Sequence, residues 1–336
     1  MANETDMVPV IYIAGYGRSG STLLERILAA HPEIWGLGEL TSFHREVVED
    51  CLCACGEKVR TCPFWSNVIR DCKLDDPQRC LQLRRRQRQH ESIFGLWRLL
   101  CRGRGRRAYI ENTKQFFTSL HRHLPESIRF VIDSSKTSRS ASLRPILLSR
   151  LGGLDIRMIH IVRDGRGCTY SNVKGDNRMM EQGLANARRR LPLVRTAINW
   201  PLANAWAQIF RLVCGRRSYL RIRYEDFVSQ PETVLRQVGE FLGMDFSEQI
   251  ANLLAGQSIP LSHQVSGNRL RTRKDIVLRP DTDWQTKLKG RYKLAFLAVN
   301  WPWMLAYGYL GRCSPRSPDG PASNLEHAAD PIREPR

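Results

Sequence analysis

The first thirty residues constrain the fold of this 336-residue chain more than any other part of it. Val8 to Ala14 is a run of β-branched and aromatic residues after a polar start, and it reads as a buried strand. Gly15 to Gly20 is a glycine-rich turn. Ser21 to Ala30 then places Leu23, Leu24, Ile27 and Leu28 at helical spacing, and His31-Pro32 ends the helix. Downstream, Ile128 to Ile132, Ile156 to Val162 and Tyr219 to Arg223 read as strands. Helix-like stretches lie between them, at Ile110 to Leu124 and Leu202 to Val213, and a further one follows at Pro231 to Leu242, with proline in its first turn. Strands alternating with helices predict an α/β fold, a central parallel sheet flanked by helices.

Gly15-Tyr16-Gly17-Arg18-Ser19-Gly20-Ser21-Thr22 nearly fits the phosphate loop G-x-x-x-x-G-K-[ST], with Ser21 in the lysine position. Glycines let backbone N–H groups converge on phosphate oxygens, and the following helix presents its positive end. Without the lysine, grip on a magnesium-bound β,γ-diphosphate is weakened, and a ligand with a single 5'-phosphosulfate suits the loop better. A second motif, Ile159-His160-Ile161-Val162-Arg163-Asp164, ends a buried strand in a guanidinium at the carboxyl edge of the sheet, where open α/β sheets bind ligands. Ser171 falls about two turns into the next helix. An arginine with a hydroxyl suits a terminal phosphate; a structural Arg163-Asp164 turn is the competing reading.

Together these motifs resemble the sulfotransferase family, in its carbohydrate, tyrosylprotein and bacterial branch. The resemblance runs in order from about residue 8 to 311, through Gly38-Glu39-Leu40, Asp133-Ser134-Ser135-Lys136, Tyr224-Glu225-Asp226 and Ser266-Gly267-Asn268-Arg269-Leu270-Arg271. It implies a three-layer P-loop-like fold and transfer of a sulfuryl group from 3'-phosphoadenosine 5'-phosphosulfate to a hydroxyl. Gly17, Arg18, Ser19, Gly20, Ser21 and Thr22 would form the 5'-phosphosulfate loop, and Arg163 with Ser171 the 3'-phosphate pair. Arg271 would lie on the 3'-phosphate or adenine side. Glu39 would be the general base, with His31 and His44 as competitors, and Arg18 and Lys136 would neutralise the leaving group and the transferring group. This chemistry requires no metal. Tyr224-Glu225-Asp226 would cap the third of these strands.

A formal charge of +19, from 52 basic and 33 acidic side chains, implies anionic partners, including the nucleotide and an anionic acceptor. The acceptor, a carbohydrate, lipid or small metabolite, would meet insertions at about 41–107 and 174–200. Leu83 to Arg107 holds nine arginines and one glutamate among aromatic and aliphatic residues, and it reads as a basic amphipathic helix or lid. It is either a solvated helix packing one face or a surface for the acceptor or a membrane, which leaves peripheral membrane contact open. Nucleic acid is not expected as a partner. The rival readings are a basic RNA- or membrane-binding protein on a sulfotransferase-like scaffold, and a nucleotide kinase.

Cys53, Cys55 and Cys62, followed by Pro63-Phe64-Trp65, form a zinc knuckle, a disulfide-stapled loop or a small insertion whose Trp65 plugs the core; the Cys-x-Cys-Gly insertion ending in Phe64-Trp65 also resembles bacterial members. The ten cysteines are otherwise scattered, and Met1 to Pro9 lacks a signal-peptide pattern, so a cytoplasmic setting is expected. The apolar run Leu294 to Gly311 is interrupted by Asn300 and Pro302 and reads as a packed terminal helix rather than a membrane contact. One domain over 1–312 and a disordered tail over 313–336, where proline is frequent from Ser314 on, complete the reading.

Overall fold

The computed structural model describes residues 7–97, 103–174, 192–273, 275–276 and 278–310. The tail beyond Ser314, most of the 174–200 insertion and the stretch 98–102 of the arginine-rich segment lie outside the described residues. Five strands, β1 (Val10–Ala14), β2 (Ile34–Gly36), β3 (Phe130–Asp133), β4 (Ile156–Val162) and β5 (Tyr219–Arg223), form one sheet among the described residues. All pairings are parallel, in the order β2-β3-β1-β4-β5.

After β1 comes α1 (Ser21–Leu28), and after β2 come α2 (Phe43–Val48), α3 (Trp65–Asp71), α4 (Pro77–Glu91) and α5 (Arg104–Arg122). The chain continues through β3, α6 (Arg144–Arg150), β4, α7 (Gly165–Val173), α8 (Pro192–Cys214) and β5. It ends with α9 (Tyr224–Ser229), α10 (Pro231–Leu242), α11 (Ser247–Leu254), α12 (Asp283–Lys287) and α13 (Gly290–Ala306).

Alternation along β1 sorts the layers, because successive side chains on a strand point to opposite faces. Val10, Tyr12 and Ala14 pack with Phe43, Trp65, Phe117, Leu148 and Phe210, so α2, α3, α5, α6 and α8 cover one face. Ile11 and Ile13 pack with Leu24, Ile27, Phe227, Leu235 and Ile250, so α1, α9, α10 and α11 cover the other. The result is the central parallel sheet flanked by helices that the alternation predicts, in the three-layer form that the resemblance implies.

The arginine-rich segment differs from the single amphipathic helix or lid read from sequence. Asp76 caps α4, accepting from the Gln78 N–H at 2.8 Å, and Pro77 sits in the first turn. The helix ends at Glu91, a 3₁₀ turn follows at Ile93–Gly95, and α5 starts at Arg104. What α4 buries is mainly polar, Gln87, His90 and Glu91 with Cys80. In α13, Phe296, Asn300 and Met304 are fully buried at i, i+4 spacing, as a packed terminal helix requires, while Leu294, Val299, Trp301 and Leu305 face outward. No helix among the described residues is long and apolar enough to cross a membrane.

Candidate active site

The sheet order brings four loops together at its carboxyl edge. The connection from β1 leads toward β2 and that from β4 toward β5, so the strand order reverses between β1 and β4, the place where open α/β sheets form a crevice. The glycine loop leaves β1 there and Arg163 leaves β4. Lys136 follows β3, and Glu39 follows β2.

Gly20 ends the loop with φ 90°, a left-handed conformation, and a Cβ there would lie 2.6 Å from the Tyr224 ring. Gly20, at the N-cap of α1, brings no side chain to cap the helix, so its first-turn N–H groups suit an anion. Arg18 also has positive φ, 74°, and its Nε donates to Ser171 Oγ at 2.9 Å. Arg163 closes the same network: Nη1 donates to Arg18 O at 2.9 Å and Nη2 to Asp281 Oδ2 at 2.6 Å. Its guanidinium lies 4.5 Å over the Tyr224 ring. Burial alone would lower Arg163, but the Cys168 thiol, Asp281 and Tyr224 around it hold it above its ordinary value. Loop, Arg18, Arg163 and Ser171 are therefore one cationic cradle. Tyr224-Glu225-Asp226 buttresses it, for Glu225 accepts from the Asp164 N–H at 3.0 Å and from Tyr309 at 2.7 Å.

On the opposite side of the loop Lys136 Nζ is hydrogen-bonded to Glu39 Oε1. Two independent anchors hold each partner. Lys136 adopts φ 66°, its N–H donates to Ile13 O at 3.2 Å, and its carbonyl accepts from Tyr12 at 2.6 Å. The Glu39 N–H donates to Val265 O at 2.9 Å, and Gly38, at φ 83°, lies so close to Val265 that a Cβ would meet its backbone. A Cβ at Gly267 would sit 3.7 Å from Glu39 Oε1 and 3.5 Å from Thr22 Oγ1, so the segment after Val265 joins Glu39 to the glycine loop.

The histidines are engaged elsewhere. His31 lies past the far end of α1, accepts from the Glu33 N–H at 3.2 Å and packs on Phe246. His44 is hydrogen-bonded to Gln87 at 3.2 Å, and burial pushes it down to about 4. His160, on β4, is hydrogen-bonded to Tyr219 and Asn204, and burial likewise pushes it down to about 4. Arg271 comes to the same region as Glu39, but its guanidinium donates to Leu52 O at 3.2 Å and Gly267 O at 3.5 Å, away from the Arg163 network.

Glu25 and Asp281 escaped the sequence reading. Glu25 is buried inside α1, and its Oε1 accepts from the Gly38 N–H at 2.6 Å. Burial pushes its carboxyl up to about 7, against the pull of the Gly38 N–H and of the Lys136 charge. The available signal was a glutamate on the inward face of a short helix beside the loop. Asp281 carried no signal, since it reaches Arg163 only through the fold. Cys53, Cys55 and Cys62 do converge, and His263 joins them from 201 residues beyond Cys62. Trp65 is fully buried.

Solved structures similar to this chain include the sulfotransferase domain from the Synechococcus PCC 7002 olefin synthase, 21% identical, with a TM-score of 0.47 over 89% of this chain and 96% of that one. They also include sulfotransferase STF9 from Mycobacterium avium, 15% identical, TM-score 0.49, covering 91% and 78%. Mouse sulfotransferase SULT7A1 complexed with PAP is 12% identical, TM-score 0.47, covering 88% and 84%. Among curated proteins, protein-tyrosine sulfotransferase A of Caenorhabditis elegans is 25% identical over 262 residues, 76% of this chain. The chain spans 56% of that relative's length. The sulfotransferase family model matches residues 9–248, from β1 into α11, which takes in the glycine loop, Glu39, Lys136, Arg163 and Ser171. The chain belongs to the sulfotransferase family.

Proposed function

We propose that the chain transfers the sulfuryl group of 3'-phosphoadenosine 5'-phosphosulfate to a hydroxyl of an anionic acceptor. The observation that carries this reading is the meeting of Glu39 with Lys136 beside an uncapped helix N-terminus. In the reaction the acceptor oxygen bonds to sulfur, the bond from sulfur to the phosphate oxygen breaks, and Glu39 takes the hydroxyl proton. Lys136 and Arg18 would neutralise the charge growing on the leaving phosphate, and the N–H groups from Ser19 to Thr22 would hold that phosphate. Arg163 and Ser171 would receive the 3'-phosphate.

Calorimetric titration with 3'-phosphoadenosine 5'-phosphate, without magnesium, tests the nucleotide half. The wild-type protein should bind at one site. Arg163→Ala should weaken binding roughly 10- to 100-fold, the loss of about 1.5–3 kcal/mol in charge-assisted hydrogen bonds. No binding by a folded wild-type sample would end the reading.

An anionic acceptor is supported by a cleft of about 740 Å³ lined by Arg84, Arg85, Arg88 and Arg139, with Phe94 and Trp97. Arg139 lies three residues after Lys136, and its carbonyl accepts from the Ile93 N–H at 3.2 Å, which ties the cleft to the Lys136 loop. Reversing Arg84 and Arg88 to glutamate should weaken binding of a carboxylated polysaccharide roughly tenfold and flatten its salt dependence, with nucleotide binding unchanged. Unchanged polysaccharide binding in that variant would remove the cleft from acceptor recognition.

A further inference from the structure

We propose that Cys53, Cys55, Cys62 and His263 bind one structural Zn²⁺, which fastens the cysteine loop to the chain segment that holds Glu39. One ligand atom from each of the four residues lies within 4.8 Å of all the others. Cys62 Sγ is 3.7 Å from Cys55 Sγ and 3.8 Å from Cys53 Sγ. A tetrahedral zinc with Zn–S of about 2.3 Å and Zn–N of about 2.0–2.1 Å requires sulfur–sulfur edges of about 3.8 Å and sulfur–nitrogen edges of about 3.6 Å. The two sulfur edges at Cys62 meet that requirement. His263 Nδ1 stands 3.1 Å from Cys62 Sγ, so the imidazole has only to back off by about 0.5 Å. A disulfide would need two of the sulfurs at about 2.05 Å, leaving the third thiol and the imidazole without a shared partner.

The surroundings are those of a metal knuckle. Cys53 to Gly56 turns tightly, with the Gly56 N–H on Cys53 O at 3.1 Å and Leu52 bridged antiparallel to Lys58. The His263 ring is stacked on Trp35 with centroids 5.3 Å apart, and its carbonyl accepts from Trp65 Nε1 at 2.6 Å, which fixes the ligand from behind. Three soft thiolates and one imidazole, four protein ligands within 4.8 Å of one another, select zinc in a closed structural site rather than a catalytic one.

His263 makes the site more than a local staple. Two residues on, Val265 pairs with the Glu39 strand end, accepting from the Glu39 N–H at 2.9 Å and donating to Leu37 O at 3.0 Å. The Ala54 N–H reaches Gln264 O at 3.0 Å, and Arg271 reaches Leu52 O from the other side of the same segment. The metal would thus fix residues 263–271 against both the cysteine loop and the Glu39 loop. Its effect on turnover rests on the proposed function; the metal site itself does not.

Elemental analysis of the full chain purified under reducing conditions should give one zinc per chain. Cobalt-substituted protein should show thiolate-to-cobalt charge transfer and tetrahedral d–d bands. Cys62→Ser and His263→Ala should lower zinc affinity, read by competition with a chromophoric chelator, by more than the roughly 100-fold that losing an outer-shell partner costs. His263→Cys should keep one metal with a shifted cobalt spectrum, and a chelator should lower the melting temperature of the wild-type protein, which keeps the test independent of whether the variants fold. A folded wild-type protein that takes up no zinc when supplied with it, zinc retained equally in all variants, or a thiol count showing a disulfide in this cluster would each overturn the proposal. None of these readings depends on sulfuryl transfer.

Discussion

Glu39→Gln should lower kcat by roughly 10²- to 10⁴-fold while leaving affinity for 3'-phosphoadenosine 5'-phosphate within about twofold. The amide keeps the shape of the carboxylate and can still accept from Lys136 Nζ, so the Gly38-Glu39 turn and its bond to Val265 O are preserved. What is lost is the ability to take a proton from the acceptor hydroxyl. The cradle around Arg18 and Arg163 is built from different strand ends and does not include Glu39, so nucleotide binding should not follow. The two readouts separate the roles, because a residue that merely braced the loop would lower both together. Equal loss of nucleotide binding would make Glu39 a structural residue. Unimpaired turnover would move the base elsewhere.

How much of this site was legible depended on whether the signal was local. The glycine loop, β4 and Arg163 announce themselves because a strand, a tight turn and a helix must follow one another in sequence to make a phosphate cradle. Long pairings leave no such trace: Glu25 with Gly38, Arg163 with Asp281 and Cys62 with His263 are brought together by folding alone. Helix limits failed where proline misled. The helix expected at Leu202 to Val213 starts ten residues earlier, at Pro192, and runs through Pro201. Proline there leaves the carbonyl of Ala197 without its helical partner, and Asn300, on α13, donates to it at 3.2 Å. The asparagine that interrupts the apolar run thus satisfies a carbonyl freed by proline. Helix α5 starts at Arg104 rather than Ile110, since arginine is a good helix former whose charge masked the pattern.

The other large effect expected is on stability. Arg144→Ala should cost about 3–5 kcal/mol and lower the melting temperature by roughly 10 °C, because it strands two carboxylates in the core. Arg144 is 3% exposed, and it donates from Nε to Asp133 Oδ2 at 2.8 Å and from Nη1 to Glu91 Oε1 at 2.5 Å. Burial would by itself lower its guanidinium, but the two carboxylates hold it well above its ordinary value. Glu91 also accepts from Tyr109 at 3.0 Å and Gln87 at 3.0 Å, which cannot replace a positive charge. By contrast, Arg236→Ala removes the exposed pair with Glu232 on α10 and should cost no more than about 0.5 kcal/mol. Denaturant titration of both variants measures the difference directly. The damage should also reach the site: Asp133 holds Ser135 through its N–H at 3.0 Å, and Ser135 Oγ accepts from the Thr41 N–H at 3.0 Å. That chain links Arg144 to the loops carrying both Lys136 and Glu39, so Arg144→Ala should lower turnover even at temperatures where it is fully folded. A variant that melts like the wild type would mean that the ion pairs do not hold the carboxyl edge together.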